Sequence, residues 1–211
     1  LATTRTRTAY ARIINDFEEG KTDILIGTQM ISKGLDFDRV SVVGILNADS
    51  MMNYPDFRSY ERAFQLMAQV AGRAGRKNKQ GLVVLQTKSP ENPLIHQIMA
   101  NDYARLYQEQ MEERSLFKYP PFYRLIYVYL KHRKEDILNQ AADLMAAHLR
   151  QGMGERILGP DKPPVARIQS LFIRKIVIKI EQEDSMSQVR RYLSQVQRTL
   201  IEDERFRSLM V

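Results

Sequence analysis

The sequence predicts an α/β protein: a doubly wound parallel sheet followed by a smaller α+β unit of βαββαβ order. Three observations carry that reading. Short apolar runs, "DILIGT" (23–28), "VSVVGIL" (40–46) and "GLVVLQT" (81–87), suit strands buried on both faces of a parallel sheet. A crossover and a helical stretch separate them, which is the grammar of doubly wound folds. Beyond about residue 116 the pattern changes to strand, helix, hairpin, helix and a last short strand, the order of a split βαβ unit.

Taken in order, the first element is a helix. Ala9, Ile13, Ile14 and Phe17 fall at helical spacing and Gly20 stops the run. The strand 23–28 leads into "QMISKGLDFDRV", a loop before the second strand. A helix follows from about Ser59 to Arg76, and the third strand after it. Thr28, Asp49, Thr87 and the loop with Lys33, Gly34 and Asp36 all fall at carboxyl ends of strands, where such sheets bind ligands. The stretch 89–122 starts with Ser, Pro and Asn, ends in Pro-Pro, and reads as one closing helix. This sets domains at 1–115 and 116–211. In the second, "FYRLIYVYLKH" is a strand, "EDILNQAADLMAAHLRQG" a helix and "GPDKPPVA" a turn-rich connection. "RIQSLFIRKIVIKI" is a hairpin, "SMSQVRRYLSQVQRTLIED" a helix and "LMV" the start of a strand cut short. Leu1 opens at once into a helical pattern, so the chain reads as a piece of a longer protein.

Composition narrows the chemistry. The 211 residues include no cysteine, which removes disulfides, thiolate metal sites and cysteine nucleophiles. Three scattered histidines offer no metal-ligand spacing, and no apolar run approaches the roughly 20 residues of a membrane span. The net charge of +7 is compatible with a polyanionic partner and equally with a solvated basic surface.

The sharpest signal is "LMAQVAGRAGRKNKQG" (66–81). Gln69, Gly72, Arg73 and Arg76 stand at i, i+3, i+4 and i+7, hence on one helix face. Glycine there admits a close neighbour, and two arginines can grip phosphate oxygens with forked hydrogen bonds. The plainer reading is a helix carboxyl end, where glycine terminates and arginine complements the dipole.

Its company decides between the two. "GTQMISKGLDF" followed by "QVAGRAGR" resembles motifs V and VI of superfamily 2 helicases, in the second RecA-like lobe. With "PDFRSYERAFQL" between them, a strand ending "QT", then "YPPF" (119–122) and "LGP" (158–160), the chain resembles the PriA family of primosomal replication-restart helicases. The resemblance implies a second RecA-like lobe followed by a ferredoxin-like carboxyl-terminal domain. It also implies a parent that is an ATP-dependent 3′-to-5′ DNA helicase, recognising stalled or branched forks and restarting replication by primosome assembly.

By that resemblance Arg73 and Arg76 sense phosphate, Arg76 as the finger, and Gln69 orients the water or the γ-phosphate. Gly34, Asp36, Arg73 and Arg76 form the nucleotide-binding set, and Thr28 and Lys33 touch the DNA backbone. ATP and Mg²⁺ belong to the parent, because no G-x-x-x-x-G-K-[ST] loop occurs in the chain. Zinc is expected only in a region upstream, and no metal is held here. The implied partners are single-stranded and forked DNA, single-stranded-DNA-binding protein and primosome proteins; the protein is expected to be cytoplasmic, monomeric and free of membrane. A non-motor nucleic-acid-binding module with a helicase-like fold is the alternative. On the hairpin, Arg174, Lys175 and Lys179, near Tyr119, Tyr123, Tyr127 and Tyr129, suit a nucleic-acid surface, while protected edge strands and core tyrosines would give the same pattern.

Overall fold

Helix α1 spans Arg7–Glu18 and buries Ile14. Gly20, at φ +75°, ends it: its N–H reaches Phe17 O and the Lys21 N–H reaches Asp16 O, a Schellman closure. The computed structural model describes residues 7–28, 40–72, 74 and 81–211. It divides into two compact units, Leu1–Glu109 and Gln110–Val211.

In the first unit, strand β1 (Val42–Ile45) pairs in parallel with β2 (Leu82–Leu85), Val42 opposite Leu82 and Ile45 opposite Leu85. The run 23–28 is not a strand, which corrects the sequence reading. Ile24 and Ile26 stand 78% and 74% exposed, and among the described residues no strand pairs with them. An apolar run becomes a strand only where a neighbour takes its backbone hydrogen bonds. The two strands that do form are also less enclosed than expected. Ile45 is buried at the carboxyl end of β1, but Val42, Leu82 and Val84 remain at least half exposed.

The core of this unit gathers at that carboxyl end. Helix α2 (Asp49–Met52) and helix α3 (Ser59–Ala71) contribute Met52, Ala63, Phe64 and Met67 to it. Helix α3 stops at Ala71, five residues short of the expected end at Arg76; Gly72 is its C-cap, with its N–H on Ala68 O at 2.9 Å. The stretch 89–122 is two helices, α4 (Pro93–Ala100) and α5 (Tyr103–Leu116), where one was expected. Asn92 caps α4 by accepting a hydrogen bond from Leu94 N at 2.9 Å, and Pro93 fills the first turn. Asn101, left-handed at φ +52°, then closes it, and Asp102 starts α5 by accepting from Arg105 N at 3.0 Å. The pair Asn-Asp is a stop and a start in two residues. Leu94, Ile95 and Leu106 complete the core. The division between units falls inside α5, the helix that also carries the boundary assigned near residues 115 and 116.

The second unit is the ferredoxin-like order. Strand β3 (Tyr123–His132) runs antiparallel to β6 (Leu171–Glu181) along its whole length, Tyr123 opposite Glu181 and His132 opposite Phe172. Helix α6 (Glu135–Met153) follows β3, and helix α7 (Met186–Glu202) follows β6. The other edge of β6 takes β4 (Ile157–Asp161) and the two-residue β5 (Arg167–Ile168). Part of the connection read as turn-rich is therefore strand β4. The hairpin β5–β6 turns on Gln169, at φ +53°. Beyond β3 the fourth strand position holds one residue pair, Met210 bonded both ways to Lys131.

Two short motifs acquire a structural meaning here. "YPPF" and "LGP" each contain a cis X-Pro bond, Pro120–Pro121 and Gly159–Pro160. Gly159 also sits at the register shift of β4, at φ +92°, where a Cβ would lie 2.9 Å from the carbonyl oxygen of Lys175. Only glycine lets the bulged strand come that near. Both helices cover one sheet face. Leu130, Ile176, Ile178 and Ile180 meet Leu138, Met145, Val196 and Leu200 there, all but Val196 essentially without exposure. A close approach binds the helices to each other: Tyr192 donates to His148 O at 2.6 Å, and its ring lies where a Gly152 side chain would be.

Candidate nucleic-acid interface

The carboxyl ends of β1 and β2 are stitched by side chains. Asp49 accepts from Thr87 Oγ1 at 2.8 Å and from the Lys88 backbone N–H at 2.9 Å. The Asn47 N–H donates to Gln86 Oε1, and the Ala48 N–H to Gln86 O. The Lys88 N–H, and after it the Thr87 hydroxyl, hold the Asp49 carboxyl below its ordinary value. Parity and spacing placed Asp49 and Thr87 at strand ends; that one carboxylate joins both segments was not legible, because it needs the pairing register.

Gln69 lies on the exposed face of α3, with Arg62 and Gln65 on the same side and Ala63, Phe64 and Met67 on the other. Gly72 follows it and is exposed. Thr28 is exposed in irregular backbone, not at a strand end. Lys33, Gly34, Asp36, Arg73 and Arg76 lie outside the described residues. Of the sequence-assigned set, Gln69 alone is therefore placed on a regular element.

The charged stretch "PDFRSYER" is largely spent on building the start of α3. Arg58 N donates to Asp56 Oδ1 at 2.8 Å, and the Arg58 guanidinium pairs with Glu61 at 3.2 Å. Arg62 reaches back to Asp56 at 3.0 Å. Alternating charges thus wrap the turn before the helix and its first coil.

In the second unit the structure separates the three hairpin cations. Arg174 is buried, 6% exposed; it donates to Glu135 Oε1 at 2.7 Å and to its neighbour's carbonyl, Ile173 O, at 3.0 Å. It is not available to a nucleic acid, which corrects its candidacy. Its sequence parity with Ile176, Ile178 and Ile180 was the signal that it faces inward. Lys175 and Lys179 take the opposite parity and the opposite face. Lys179 donates to Phe117 O at 2.6 Å and lies 3.9 Å from the centroid of Tyr119. Burial there, with Lys118 nearby, lowers its pKa from the ordinary lysine value.

Against this geometry, comparison with known proteins is specific. Residues 3–78 match the family described as helicase conserved C-terminal domain, and residues 115–208 match the primosomal protein N C-terminal domain. The chain is 43% identical to the replication restart protein PriA of Bacillus subtilis over 187 residues, 88% of this chain and 23% of that protein. The chain belongs to the PriA family. It is 34% identical to the PriA of Synechocystis over 84% of its length, and 42% identical to that of Haemophilus influenzae over 73%. It spans about a quarter or less of those relatives, 22% and 21% for the last two. The order of the two family matches follows the order of the two units. Among the described residues no helix is long and apolar enough to cross a membrane.

Proposed function

We propose that the chain is the second motor lobe and carboxyl-terminal domain of an ATP-dependent DNA helicase that acts in replication restart. The observation that supports it most is the pairing of a helicase carboxyl-terminal match over 3–78 with a primosomal match over 115–208 in one chain. On this reading the parent moves 3′ to 5′ on single-stranded DNA, binds stalled or branched forks, and assembles a primosome together with single-stranded-DNA-binding protein, in the cytoplasm and as a monomer. ATP with Mg²⁺ would be held mainly by an upstream lobe, and zinc by upstream residues.

This chain's own part is to bring charge to the nucleotide. Arg76 and Arg73 would neutralise the phosphoryl oxygens as charge builds on them, which is what arginine does in such motors. Gln69, at the exposed end of α3, would orient the attacking water or the γ-phosphate, with Gly34 and Asp36 approaching from the motif V loop. Thr28 and Lys33 would contact DNA phosphates, so binding there should be indifferent to base sequence and weakened by salt. The deciding experiment is ATP hydrolysis by the full-length protein on forked DNA. Arg76→Ala should leave ATP binding nearly intact and lower turnover roughly 10³-fold or more; an unchanged rate overturns the finger assignment. A non-motor binding module would instead show DNA binding with no nucleotide dependence in the full-length protein.

A further inference from the structure

We infer that Glu61 and Gln65 are positioning residues for Gln69: they form a hydrogen-bond relay along α3 that fixes which end of the Gln69 amide faces the nucleotide. The three residues stand at i, i+4 and i+8, so they follow one row of the helix surface. That row lies away from Ala63, Phe64 and Met67, which are sealed in the core, and Gln65 and Gln69 are exposed. Gln65 Nε2 donates to Glu61 Oε1 at 3.3 Å. A carboxylate only accepts, so this bond admits one orientation of the Gln65 amide, with its NH2 toward Glu61. The Gln65 carbonyl is left on the other prong, free of the carboxylate. Side chains on a helix lean toward its amino end, so the Gln69 side chain leans over the turn that carries Gln65.

The relay rests on the proposed motor function, in which Gln69 orients the attacking water. Water attacks through an oxygen lone pair, so the group that aims it accepts one of its O–H protons. The Gln69 carbonyl must therefore face the water, and its NH2 must find an acceptor elsewhere. Gln65 Oε1 is that acceptor. Without it the Gln69 amide can turn over and offer a donor where an acceptor is needed. The carboxylate that starts the relay is itself held in place: the Arg58 guanidinium donates to Glu61 through Nε and Nη2, both at 3.2 Å. Asp56 in turn accepts from Arg58 N at 2.8 Å and from Arg62 Nη1 at 3.0 Å. Arg58 occupies the N-cap position and gives no side-chain cap, so these charge pairs close the first turn in its stead.

The test is steady-state ATP hydrolysis by the full-length protein on forked DNA, with thermal melting followed for each variant. Gln65→Met keeps the length of the side chain and removes both prongs of the amide. It should lower kcat roughly five- to tenfold, the scale of one net hydrogen bond, with the KM for ATP and the melting temperature unchanged. Glu61→Gln, which lets the Gln65 amide turn over, should act in the same way. Glu61→Gln combined with Gln65→Glu moves the carboxylate next to Gln69 and should restore turnover. In a Gln69→Ala background neither single change should cost anything further, whereas a merely structural defect would still add its loss. Arg58→Met removes the ion pair but leaves Glu61 to hold Gln65, and should keep kcat. An unchanged kcat in Gln65→Met overturns the relay, as does an equal loss in Arg58→Met and Glu61→Gln. Gln69→Ala separates the two readings: if it hydrolyses ATP at the unaltered rate, the role of Gln69 falls and the relay with it. A loss in Gln69→Ala without one in Gln65→Met overturns the relay alone.

Discussion

Arg174 and Glu135 form an ion pair with unequal exposure: the guanidinium is 7% exposed as a side chain, the carboxylate 37%, and 2.7 Å separates them. Glu135 also receives Lys162 at 3.2 Å, so it would keep a partner without Arg174, whereas Arg174 would lose its counter-charge without Glu135. Removing one member of a pair is costly in proportion to how deeply the survivor is buried. Glu135→Leu should therefore lower the urea midpoint of the second unit more than Arg174→Met does. The reverse order in equilibrium unfolding would show that the guanidinium reaches water.

Acid sensitivity follows from the same carboxylates. Arg174 first, then Lys162, holds the Glu135 carboxyl below its ordinary value, and the Lys88 N–H and Thr87 do the same for Asp49. A group depressed in the folded state binds its proton more readily when unfolded. It adds stability at pH above the ordinary carboxylate range, near about 4, and that stability is lost as pH falls through the depressed folded values. Stability measured from pH 7 down to pH 2 should fall less steeply in Glu135→Gln and in Asp49→Asn than in the parent. Parallel curves would remove both groups from the account.

Gly159 and Gly152 should respond differently to alanine. At Gly159 the obstacle is backbone, the Lys175 carbonyl at 2.9 Å, and φ is +92°. Gly159→Ala should cost about 1–3 kcal/mol, the usual scale of such strain. At Gly152 the obstacle is the movable tip of Tyr192. Gly152→Ala should destabilise the parent, but gain about 1 kcal/mol of helix propensity in a Tyr192→Ala background. A thermal-melt cycle over the four variants reads the change of sign directly.

Asp49→Ala should loosen the segments after both strands of the first unit together. Amide hydrogen exchange at Lys88, which donates to Asp49, should accelerate. So should exchange at Ala48, which donates to Gln86 O and makes no bond to the Asp49 side chain. Faster exchange at Lys88 alone would mean that the two segments are independent.

The chain by itself should not turn over ATP on single-stranded DNA, since it carries no phosphate loop. Steady hydrolysis by highly purified chain that co-elutes with the protein would refute this.

Much of the second unit was legible because its patterns are local. The helices α6 and α7 declare themselves by apolar spacing, and the β5–β6 hairpin by alternation around Gln169 and Ser170. Alternation also bears on the hairpin cations: Arg174, Lys175 and Lys179 alternate only partly, so some must face inward, and parity with the buried isoleucines makes Arg174 the inward one. The first unit was harder. "DILIGT" has the composition of a strand, but a strand is made by its neighbour, and sequence does not show who that is. The break at Asn101 and Asp102 was present in the residues and was overridden by a continuous helical pattern on either side. Helical spacing put Gln69 on a helix, where the structure also has it, while the link from Asp49 to Thr87 needed three-dimensional register.

That link has a consequence for anyone who would re-engineer the first unit. One carboxylate serves as the common fastening for the exits of both strands, so these two loops are a single module. A transplant of the loop after β2 that omits Thr87, or of the loop after β1 that omits Asp49, would arrive without its counterpart. Chimeras should exchange both loops at once or neither.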